Sequence, residues 1–300
     1  MKVIELFNRN LNKSTIESID STTFKEQINL LLNSTLVRLS GKEKAIVIGA
    51  GKMNDFSLSF FVKNFEETVL TDVDLLSVNE SVRYERLSKK ENDRLTRIRI
   101  EYTGFEINHF FSDFKERIVN CHSYDKLEKV IKSKLDGLEN YKFLKHYEGK
   151  VDFIYVSPIY TQLVYNQLLR ECAVLRENRY PEHFIKYLEE ILLDEMVGVI
   201  DRFNNNLVDT LKENGIMFVL SDIFQVDIGS EFHVRVKNGI KNFDVMEEIY
   251  SGYQAKFGTG LGDYGLINLD EKVNSLLSRW LIWPYDDKKV FVVKLKIFKK

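Results

Sequence analysis

Two glycines and one aspartate form the clearest ligand-binding pattern in this sequence of 300 residues. Gly49-Ala50-Gly51 follows the apolar run 45–48, and Asp72 stands 21 residues after Gly51, at the end of a second apolar run. Small residues let the backbone approach a ligand, and the first N–H groups of a following helix attract negative charge. An aspartate at the next strand end can accept hydrogen bonds from a ribose diol. The pattern predicts a nucleoside site. The alternative is that the glycines only form a tight turn and that Asp72 is an ordinary surface residue.

The residues inside the turn separate two classes of nucleoside ligand. Dinucleotide-binding enzymes usually have a third glycine in the pattern GxGxxG, but that position here is Asn54, after Lys52 and Met53. This departure disfavours NAD and favours a nucleoside without a pyrophosphate. S-adenosylmethionine fits that description, because it has a ribose, an adenine and a zwitterionic amino-acid end.

Further polar side chains follow the apolar run 151–156. Ligands collect beyond the carboxyl ends of strands in an open α/β sheet, so we expect Ser157, Tyr160 and Gln162 to line the space next to the transferable methyl group. The alternative is that Tyr160 is a core ring and that Gln162 contacts only protein at the start of a helix. Methyl transfer needs alignment and sometimes a base, and no base stands out near these residues in the sequence.

Composition excludes several classes of protein. A hydrophobic content of 44% excludes a disordered chain, and a net charge of −2 provides no basic field for nucleic acid or an anionic membrane. No apolar run approaches the ~20 residues needed to cross a bilayer. The first residues also lack the apolar centre of a signal peptide. We therefore expect a cytoplasmic protein without membrane or nucleic-acid partners.

Cysteines and histidines give no metal or redox pattern. Cys121 and Cys172 are too few and too far apart for a disulfide framework or a CxxC site, and we expect both to be buried and inert. The five histidines lack ligand spacing. No metal site is expected.

The elements that must position these residues alternate between strands and helices. Unbroken apolar runs are typical of strands buried on both faces, and strand–helix–strand units of this length form parallel sheets. Strands are predicted over 45–48, 68–72, 97–102, 151–156 and 215–222, followed by a hairpin that joins 280–283 to 290–298. Helices are predicted over 55–64, with Asp55 as a cap, and over 127–138, 161–176 and 182–212.

Two further segments complete the domain organisation. Residues 1–42 are predicted to form a helical extension, because apolar side chains recur at helical spacing from Phe24 to Leu39. Residues 43–300 are predicted to form one α/β domain with helical insertions. Within it, the glycine-rich stretch Phe257–Gly265 is either a mobile lid or an ordinary flexible connection.

The order of these segments resembles the class I S-adenosylmethionine-dependent methyltransferases. The resemblance rests on Ile46–Gly51 followed by Leu70–Asp74, and it continues through 152–157, 215–222 and the closing hairpin. The loop 49–55, of the form GAGxxND, is similar to that of an uncharacterised bacterial branch. The resemblance implies a Rossmann-like three-layer sandwich, whose seven-stranded, mostly parallel sheet ends in an antiparallel C-terminal hairpin.

The resemblance also implies roles for individual residues. Gly49, Ala50 and Gly51 would face the methionine end of S-adenosylmethionine, and Asp72 would bind the ribose. Val73 or Asp74 would lie beside the adenosine. A polar residue near adenine is usual at the end of the third strand, which here reads Glu101-Tyr102-Thr103-Gly104.

Ser157 would lie near the methyl-transfer site in the same family. Ser157-Pro158-Ile159-Tyr160 also resembles the (Asn/Asp/Ser)-Pro-Pro-Tyr motif of amino-methyltransferases, with isoleucine in place of the second proline.

The sequence thus favours a methyltransferase that uses S-adenosylmethionine and acts on a small-molecule acceptor. The alternative is a noncatalytic methyltransferase-like module that serves binding or interaction. A nucleotide-dependent oxidoreductase is a third hypothesis, disfavoured by Asn54.

Overall fold

The computed structural model describes residues 21–111, 114–163 and 165–300, and within them seven strands form one sheet. The strands are Lys44–Ile48 (β1), Glu67–Asp72 (β2), Leu95–Arg99 (β3), Val151–Val156 (β4), Leu211–Asp227 (β5), Asn274–Pro284 (β6) and Lys289–Lys299 (β7). The helices are Ser21–Leu36 (α1), Leu58–Asn64 (α2), Leu75–Tyr84 (α3), Lys89–Asp93 (α4), Phe114–Val119 (α5), Tyr124–Leu135 (α6), Tyr165–Glu177 (α7), Glu182–Thr210 (α8), Glu231–Gly239 (α9), Phe243–Phe257 (α10) and Leu261–Asp270 (α11).

The sheet has the strand order β3-β2-β1-β4-β5-β7-β6. Neighbouring strands from β3 to β5 are parallel, whereas β7 runs antiparallel to both β5 and β6. The predicted fold class is therefore confirmed. Chain connections leave β1 and β4 in opposite directions across the sheet, which opens a crevice beyond the carboxyl ends of these two strands.

Both faces of the sheet are covered, which explains the unbroken apolar runs. On β1, Val47 packs in a core with α1 and α2, whereas Ile46 and Ile48 pack on the other face with α8 and α11. All six residues of β4 are buried. Strands covered on both faces cannot alternate between apolar and polar residues, because either face would then bury unpaired polar groups.

The N-terminal part of the described chain shares the core of the sheet. Phe24, Ile28 and Leu32 of α1 are buried together with Val47, and the Phe24 ring stacks on Trp283 with ring centroids 5.3 Å apart. Residues 1–20 of the predicted helical extension lie outside the described residues. The domain boundary between residues 42 and 43 stays a prediction.

A second hydrophobic core forms beside the sheet from the insertion between β3 and β4. It combines Phe105, Phe110, Leu127 and other apolar side chains with residues of α7 and α8. Cys121 and Cys172 are both buried there as free thiols, so the predicted burial of the cysteines is confirmed. Burial raises the pKa of each thiol, which disfavours the reactive thiolate.

Several predicted boundaries were wrong, three of them at ends that face the crevice. Helix α2 begins at Leu58, not at Asp55, and β3 ends at Arg99, three residues before the predicted end. Helix α7 begins at Tyr165 instead of residue 161, and α8 ends at Thr210, where β5 begins immediately. The predicted helix 127–138 is found over Tyr124–Leu135.

The glycine-rich stretch 257–265 is not a flexible lid or connection over its whole length, because α11 begins at Leu261. Its glycines allow close packing. A β-carbon on Gly262 would overlap the backbone of Asp222, and one on Gly265 would overlap the Tyr160 ring. In the described residues, no helix combines the length and the apolar character needed to span a bilayer.

Candidate functional site

A cavity of about 220 Å³ lies at the carboxyl edge of the sheet. The segments after β1, β2, β3 and β4 line it, together with Asp222 of β5 and the hairpin between β6 and β7. The sequence-predicted residues Gly49, Ala50, Gly51, Asp72, Val73, Ser157 and Gln162 all line this cavity. Tyr160 does not.

The glycine turn is held against β2 by its backbone. Gly49 N–H and Ala50 N–H donate to the Thr71 carbonyl oxygen, at 3.1 and 3.0 Å. Gly49 and Gly51 have φ values of 73° and 43°, which side chains with a β-carbon rarely adopt. A β-carbon on Gly49 would also overlap Ile159 Cγ2. Glycine is therefore required at position 49 both by backbone conformation and by space.

The Tyr102 hydroxyl supports the glycine turn, a role that the sequence did not predict. This hydroxyl lies 3.0 Å from Gly49 N and 2.9 Å from Thr71 Oγ1. Thr71 Oγ1 donates to Val47 O at 2.8 Å, so the Tyr102 hydroxyl donates to Thr71 and accepts from Gly49. Burial raises the pKa of Tyr102 above its ordinary value, which keeps the phenol neutral. Only the position of 101–104 after the third strand pointed to this residue.

Asp72 connects the turn to the end of β2. Its Oδ2 accepts from Gly51 N–H at 2.9 Å and its Oδ1 accepts from Asp74 N–H at 2.8 Å. Burial raises the pKa of Asp72 to about 6, against the lowering effect of these bonds. A carboxylate has about four acceptor sites, so this one retains capacity for hydroxyl donors from a ligand.

The two residues that follow Asp72 have different roles. Val73 lines the cavity. The Asp74 side chain is fully buried, caps α3 by accepting from Ser77 N–H at 3.3 Å, and also accepts from Ser77 Oγ at 2.5 Å. Of the two residues predicted to lie beside the adenosine, Val73 is the one that lines the cavity, and its contact with adenosine stays a prediction.

Glu101 and Thr103 line the cavity beyond β3. Glu101 Oε1 accepts from Thr103 N–H at 2.8 Å and from the Thr103 hydroxyl, which closes a turn directly after the strand. Burial raises the pKa of Glu101. The turn explains why the predicted strand is too long at this end.

Asp55 is part of the cavity wall instead of a helix cap. Its Oδ2 accepts from the hydroxyl of Tyr155 on β4 at 2.9 Å. Tyr155 is fully buried, and a buried phenol needs a hydrogen-bond partner. This demand draws Asp55 inward, and burial raises the pKa of its carboxyl.

The opposite side of the cavity is formed by β4, β5 and the segment after β4. Asp222 Oδ2 accepts from Thr161 Oγ1 at 2.9 Å, whereas Asp222 Oδ1 is buried and makes no hydrogen bond within the described residues. Burial raises the pKa of Asp222 to about 6. The sequence had placed Asp222 only at the end of the fifth strand, although an acid in that position parallels Asp72.

Ser157 also lies on this side, as predicted. Its side chain is buried, and its Oγ makes no hydrogen bond of standard geometry in the part of the chain that is described. It lies close enough to Asp55 to oppose the rise of that carboxyl's pKa, although the effect of burial is larger.

Tyr160 was predicted to line the acceptor space, and this was wrong. Its ring is 1% exposed, packs against Phe203 and Gly265, and its hydroxyl donates to Asn204 Oδ1 at 2.9 Å. The side chain faces α8 and α11, where it completes a buried hydrogen-bond network. Gln162 is exposed at the cavity and donates to Pro158 O at 3.1 Å. Its role toward an acceptor stays a prediction.

Three aromatic side chains of the C-terminal hairpin complete the wall. Trp283, Tyr285 and Phe291 line the cavity, and the rings of Tyr285 and Phe291 meet edge to face, 4.9 Å apart. Trp283 is held from behind by its stacking on Phe24. The hairpin reaches the crevice because β7 runs antiparallel to β5.

The charge of the cavity is strongly one-sided. Asp55, Asp72, Glu101 and Asp222 line it, whereas Lys52 is the basic residue among its described lining residues. Carboxyl groups concentrated in a cleft attract cations and repel anions. In the described part of the chain, no group of three or more histidine, cysteine, aspartate or glutamate side chains is placed to hold a metal ion.

Comparison with known proteins gives similarities to solved structures only. No family model matches the sequence, and no curated protein matches it. The N-methyltransferase NodS from Bradyrhizobium japonicum, solved with S-adenosylhomocysteine, is 12% identical over 92% of this chain and 87% of its own, with a TM-score of 0.40. A SAM-dependent methyltransferase from Aquifex aeolicus is 11% identical over 98% and 99%, with a TM-score of 0.39.

Spermidine synthase from Thermotoga maritima is 10% identical over 91% of this chain, which covers 58% of that enzyme, with a TM-score of 0.39. Similarity at this level does not carry an activity from one protein to another, so the function has to be argued from the site.

Proposed function

We propose that this protein binds S-adenosylmethionine at the carboxyl edge of its sheet and transfers the methyl group to a small-molecule acceptor. The observation that carries the proposal is the hydrogen bond between the glycine turn and the buried Asp72 carboxyl, both of which line the same cavity. When bound, S-adenosylmethionine supplies a methyl group activated by a positively charged sulfur.

The described residues fit the nucleoside part of this ligand. Asp72 accepts hydrogen bonds and has capacity left for a ribose diol. Gly49 lines the cavity without a side chain, so a ligand can approach the backbone there. Val73 supplies an apolar contact for the adenosine.

The charge of the cavity supports S-adenosylmethionine over a dinucleotide. Its sulfonium and ammonium groups are cations, and four carboxyl groups line the cavity. The pyrophosphate of NAD would bring two negative charges toward the same carboxyl groups. The helix after the turn begins only at Leu58, so its N–H groups do not directly follow the glycines as a phosphate site would require.

The protein's own contribution to transfer is the alignment of the two reactants. The aromatic hairpin residues line one side of the crevice, and the turn and Asp72 hold the nucleoside beside β4. Orientation of two bound reactants accelerates transfer by removing the entropy cost of their encounter.

Calorimetry with S-adenosylmethionine, S-adenosylhomocysteine and NAD tests the proposal. We expect the first two to bind and NAD not to bind. The Asp72→Ala variant should lose about 1.5–3 kcal/mol, or about 10- to 100-fold in affinity, the scale of a hydrogen bond to a charged group. Asp93→Ala, an exposed position in α4, is the matched control and should bind normally.

Two results would contradict the proposal. Unchanged affinity in a folded Asp72→Ala variant would remove the ribose assignment, and NAD binding without S-adenosylhomocysteine binding would favour an oxidoreductase. Binding of S-adenosylmethionine without formation of S-adenosylhomocysteine across broad acceptor mixtures would favour the noncatalytic module.

A further inference from the structure

Two buried polar atoms without a hydrogen-bond partner of standard geometry belong to residues that line the same cavity on neighbouring strands. Ser157 Oγ follows β4, and Asp222 Oδ1 belongs to β5. Val156 is paired in register with Val219, so both residues lie near the carboxyl end of the same strand pair. Buried polar atoms are normally satisfied. Of the five buried side-chain atoms of the described residues that lack a partner, these two belong to residues that line the cavity.

The geometry around Asp222 leaves one oxygen for a ligand. Thr161 Oγ1 donates to Oδ2 at 2.9 Å and thereby orients the carboxyl group, and Oδ1 stays open. An ionised carboxylate can only accept hydrogen bonds. A ligand that satisfies Oδ1 must therefore bring an N–H or O–H donor.

The charge of the surroundings selects among such donors. Asp55, Asp72 and Glu101 line the same cavity, so an acceptor molecule with a carboxylate or phosphate at this point would be repelled. A protonated amine brings several N–H donors and a positive charge. It has enough donors for both Asp222 Oδ1 and Ser157 Oγ.

The remaining wall indicates what carries the amine. Trp283, Tyr285 and Phe291 present aromatic surface to the cavity. Aromatic faces attract cations and pack against flat apolar groups. An amine on a compact aromatic or apolar body matches both the open carboxylate oxygen and this surface.

We propose that Ser157 and Asp222 form the binding site for an amine acceptor, in which Asp222 Oδ1 binds the protonated nitrogen and accepts one of its protons. The proton moves from nitrogen to Oδ1, so the nitrogen regains its lone pair and the carboxyl group becomes neutral. This assignment of the acceptor class rests on the proposed methyltransferase function. The raised pKa of Asp222, about 6, makes its carboxylate a stronger base than an ordinary aspartate.

Binding measurements test the amine site without depending on turnover. Benzylamine, benzyl alcohol and benzoate are titrated into the protein with and without saturating S-adenosylhomocysteine. We expect benzylamine to bind at least tenfold more tightly than benzyl alcohol and benzoate not to bind. Asp222→Asn should weaken benzylamine binding at least tenfold, and Ser157→Ala should weaken it about threefold.

Matched measurements separate this proposal from a change in fold. Asp227→Asn, at the exposed end of the same strand, should leave benzylamine binding unchanged. Both cavity variants are also titrated with S-adenosylhomocysteine, and their thermal midpoints show whether they are folded.

Each outcome decides one of the two proposals. Equal affinity for benzylamine and benzyl alcohol, or benzylamine binding unaffected by Asp222→Asn, would overturn the amine site even if S-adenosylhomocysteine binds. Benzylamine binding that depends on Asp222, without any S-adenosylhomocysteine binding, would keep the amine site and overturn the methyltransferase function.

Discussion

The two sides of the cavity differ in how their polar groups are satisfied. On the nucleoside side, formed by the segments after β1, β2 and β3, the groups of Asp72, Glu101 and Tyr102 each take part in at least two hydrogen bonds within the protein. On the acceptor side, formed by β4 and β5, Ser157 Oγ and Asp222 Oδ1 make no hydrogen bond of standard geometry in the described residues, although Ser157 lies close to Asp55.

This difference indicates two ways to build a binding surface. The nucleoside side is shaped in advance, because its hydrogen bonds hold the turn before any ligand arrives. The acceptor side keeps unsatisfied groups, each of which costs folding stability of about 1–3 kcal/mol. Such a cost is reasonable where a ligand supplies the missing donors, and it makes the two sides respond differently to mutation.

The largest effect is expected for Gly49→Ala on the nucleoside side. The alanine would have to adopt a φ of 73° and its β-carbon would overlap Ile159 Cγ2. We expect S-adenosylhomocysteine affinity, measured by calorimetry, to fall more than about 100-fold, because the turn must shift by several tenths of an ångström or more.

Gly137→Ala is the control for Gly49→Ala. Gly137 has a similar φ of 83°, but its β-carbon would meet nothing within 4 Å. This variant should lose about 1 kcal/mol of stability and keep full affinity. Normal binding by a folded Gly49→Ala variant would show that the turn is not shaped in advance.

The second-largest effect is expected for Asp222→Asn on the acceptor side, and it is a gain in the free energy of unfolding at neutral and alkaline pH. Burial raises the pKa of Asp222 from 3.8 to about 6, so the folded state holds this proton more tightly than the unfolded state. Stability of the unaltered protein therefore falls as pH rises from about 4 to above 6. The asparagine does not titrate, and above pH 7 the variant should be more stable by up to about 3 kcal/mol.

Urea denaturation between pH 4 and pH 8 measures this difference. The gain should be greatest at the alkaline end and should be mostly lost near pH 4, where the aspartate is neutral in the folded state and about half ionised in the unfolded state. A variant that is less stable than the unaltered protein at pH 8 would contradict the assignment of Asp222 as a costly, ligand-dependent group.

Tyr160→Phe tests whether Tyr160 belongs to either side. Its hydroxyl donates to the fully buried Asn204, which would lose that donor. We expect a loss of about 1–3 kcal/mol of stability with unchanged affinity for S-adenosylhomocysteine and for benzylamine. A folded variant with normal stability and weaker benzylamine binding would instead show that Tyr160 contributes to acceptor binding.

The smallest effect is expected for Tyr102→Phe. The phenylalanine keeps the ring packing against Phe143 and Phe203 but removes the hydroxyl between Gly49 and Thr71. S-adenosylhomocysteine affinity should fall by about two- to tenfold, which corresponds to one modest hydrogen bond of about 0.5–1.5 kcal/mol. A loss as large as that of Gly49→Ala would place Tyr102 in direct contact with the ligand.

The sheet and the nucleoside side were largely predictable from local sequence. The apolar runs of β1, β2 and β4 lie on strands whose two faces are both buried, and the position of Asp72 after such a run places it at the carboxyl edge. The end of α8 was placed wrongly at the opposite edge of the sheet, where β5 begins, whereas the starts of α2 and α7 and the end of β3 were placed wrongly near the cavity. There, hydrogen bonds such as those of Asp55 with Tyr155 and of Glu101 with Thr103 compete with regular helix and strand.

The sequence by itself determined the strand runs, the conformational freedom at Gly49 and Gly51, and the placement of Asp72 and Ser157 at strand ends, because these follow from periodicity and residue type over short distances. Only the tertiary structure decided the partners of the buried polar groups. The Tyr160 hydroxyl donates to Asn204, 44 positions away in the sequence, and the Tyr102 hydroxyl accepts from Gly49, 53 positions away. Asp222 accepts from Thr161, 61 positions away. Such pairings depend on which helix covers which face of the sheet, and this is settled by packing of the whole core.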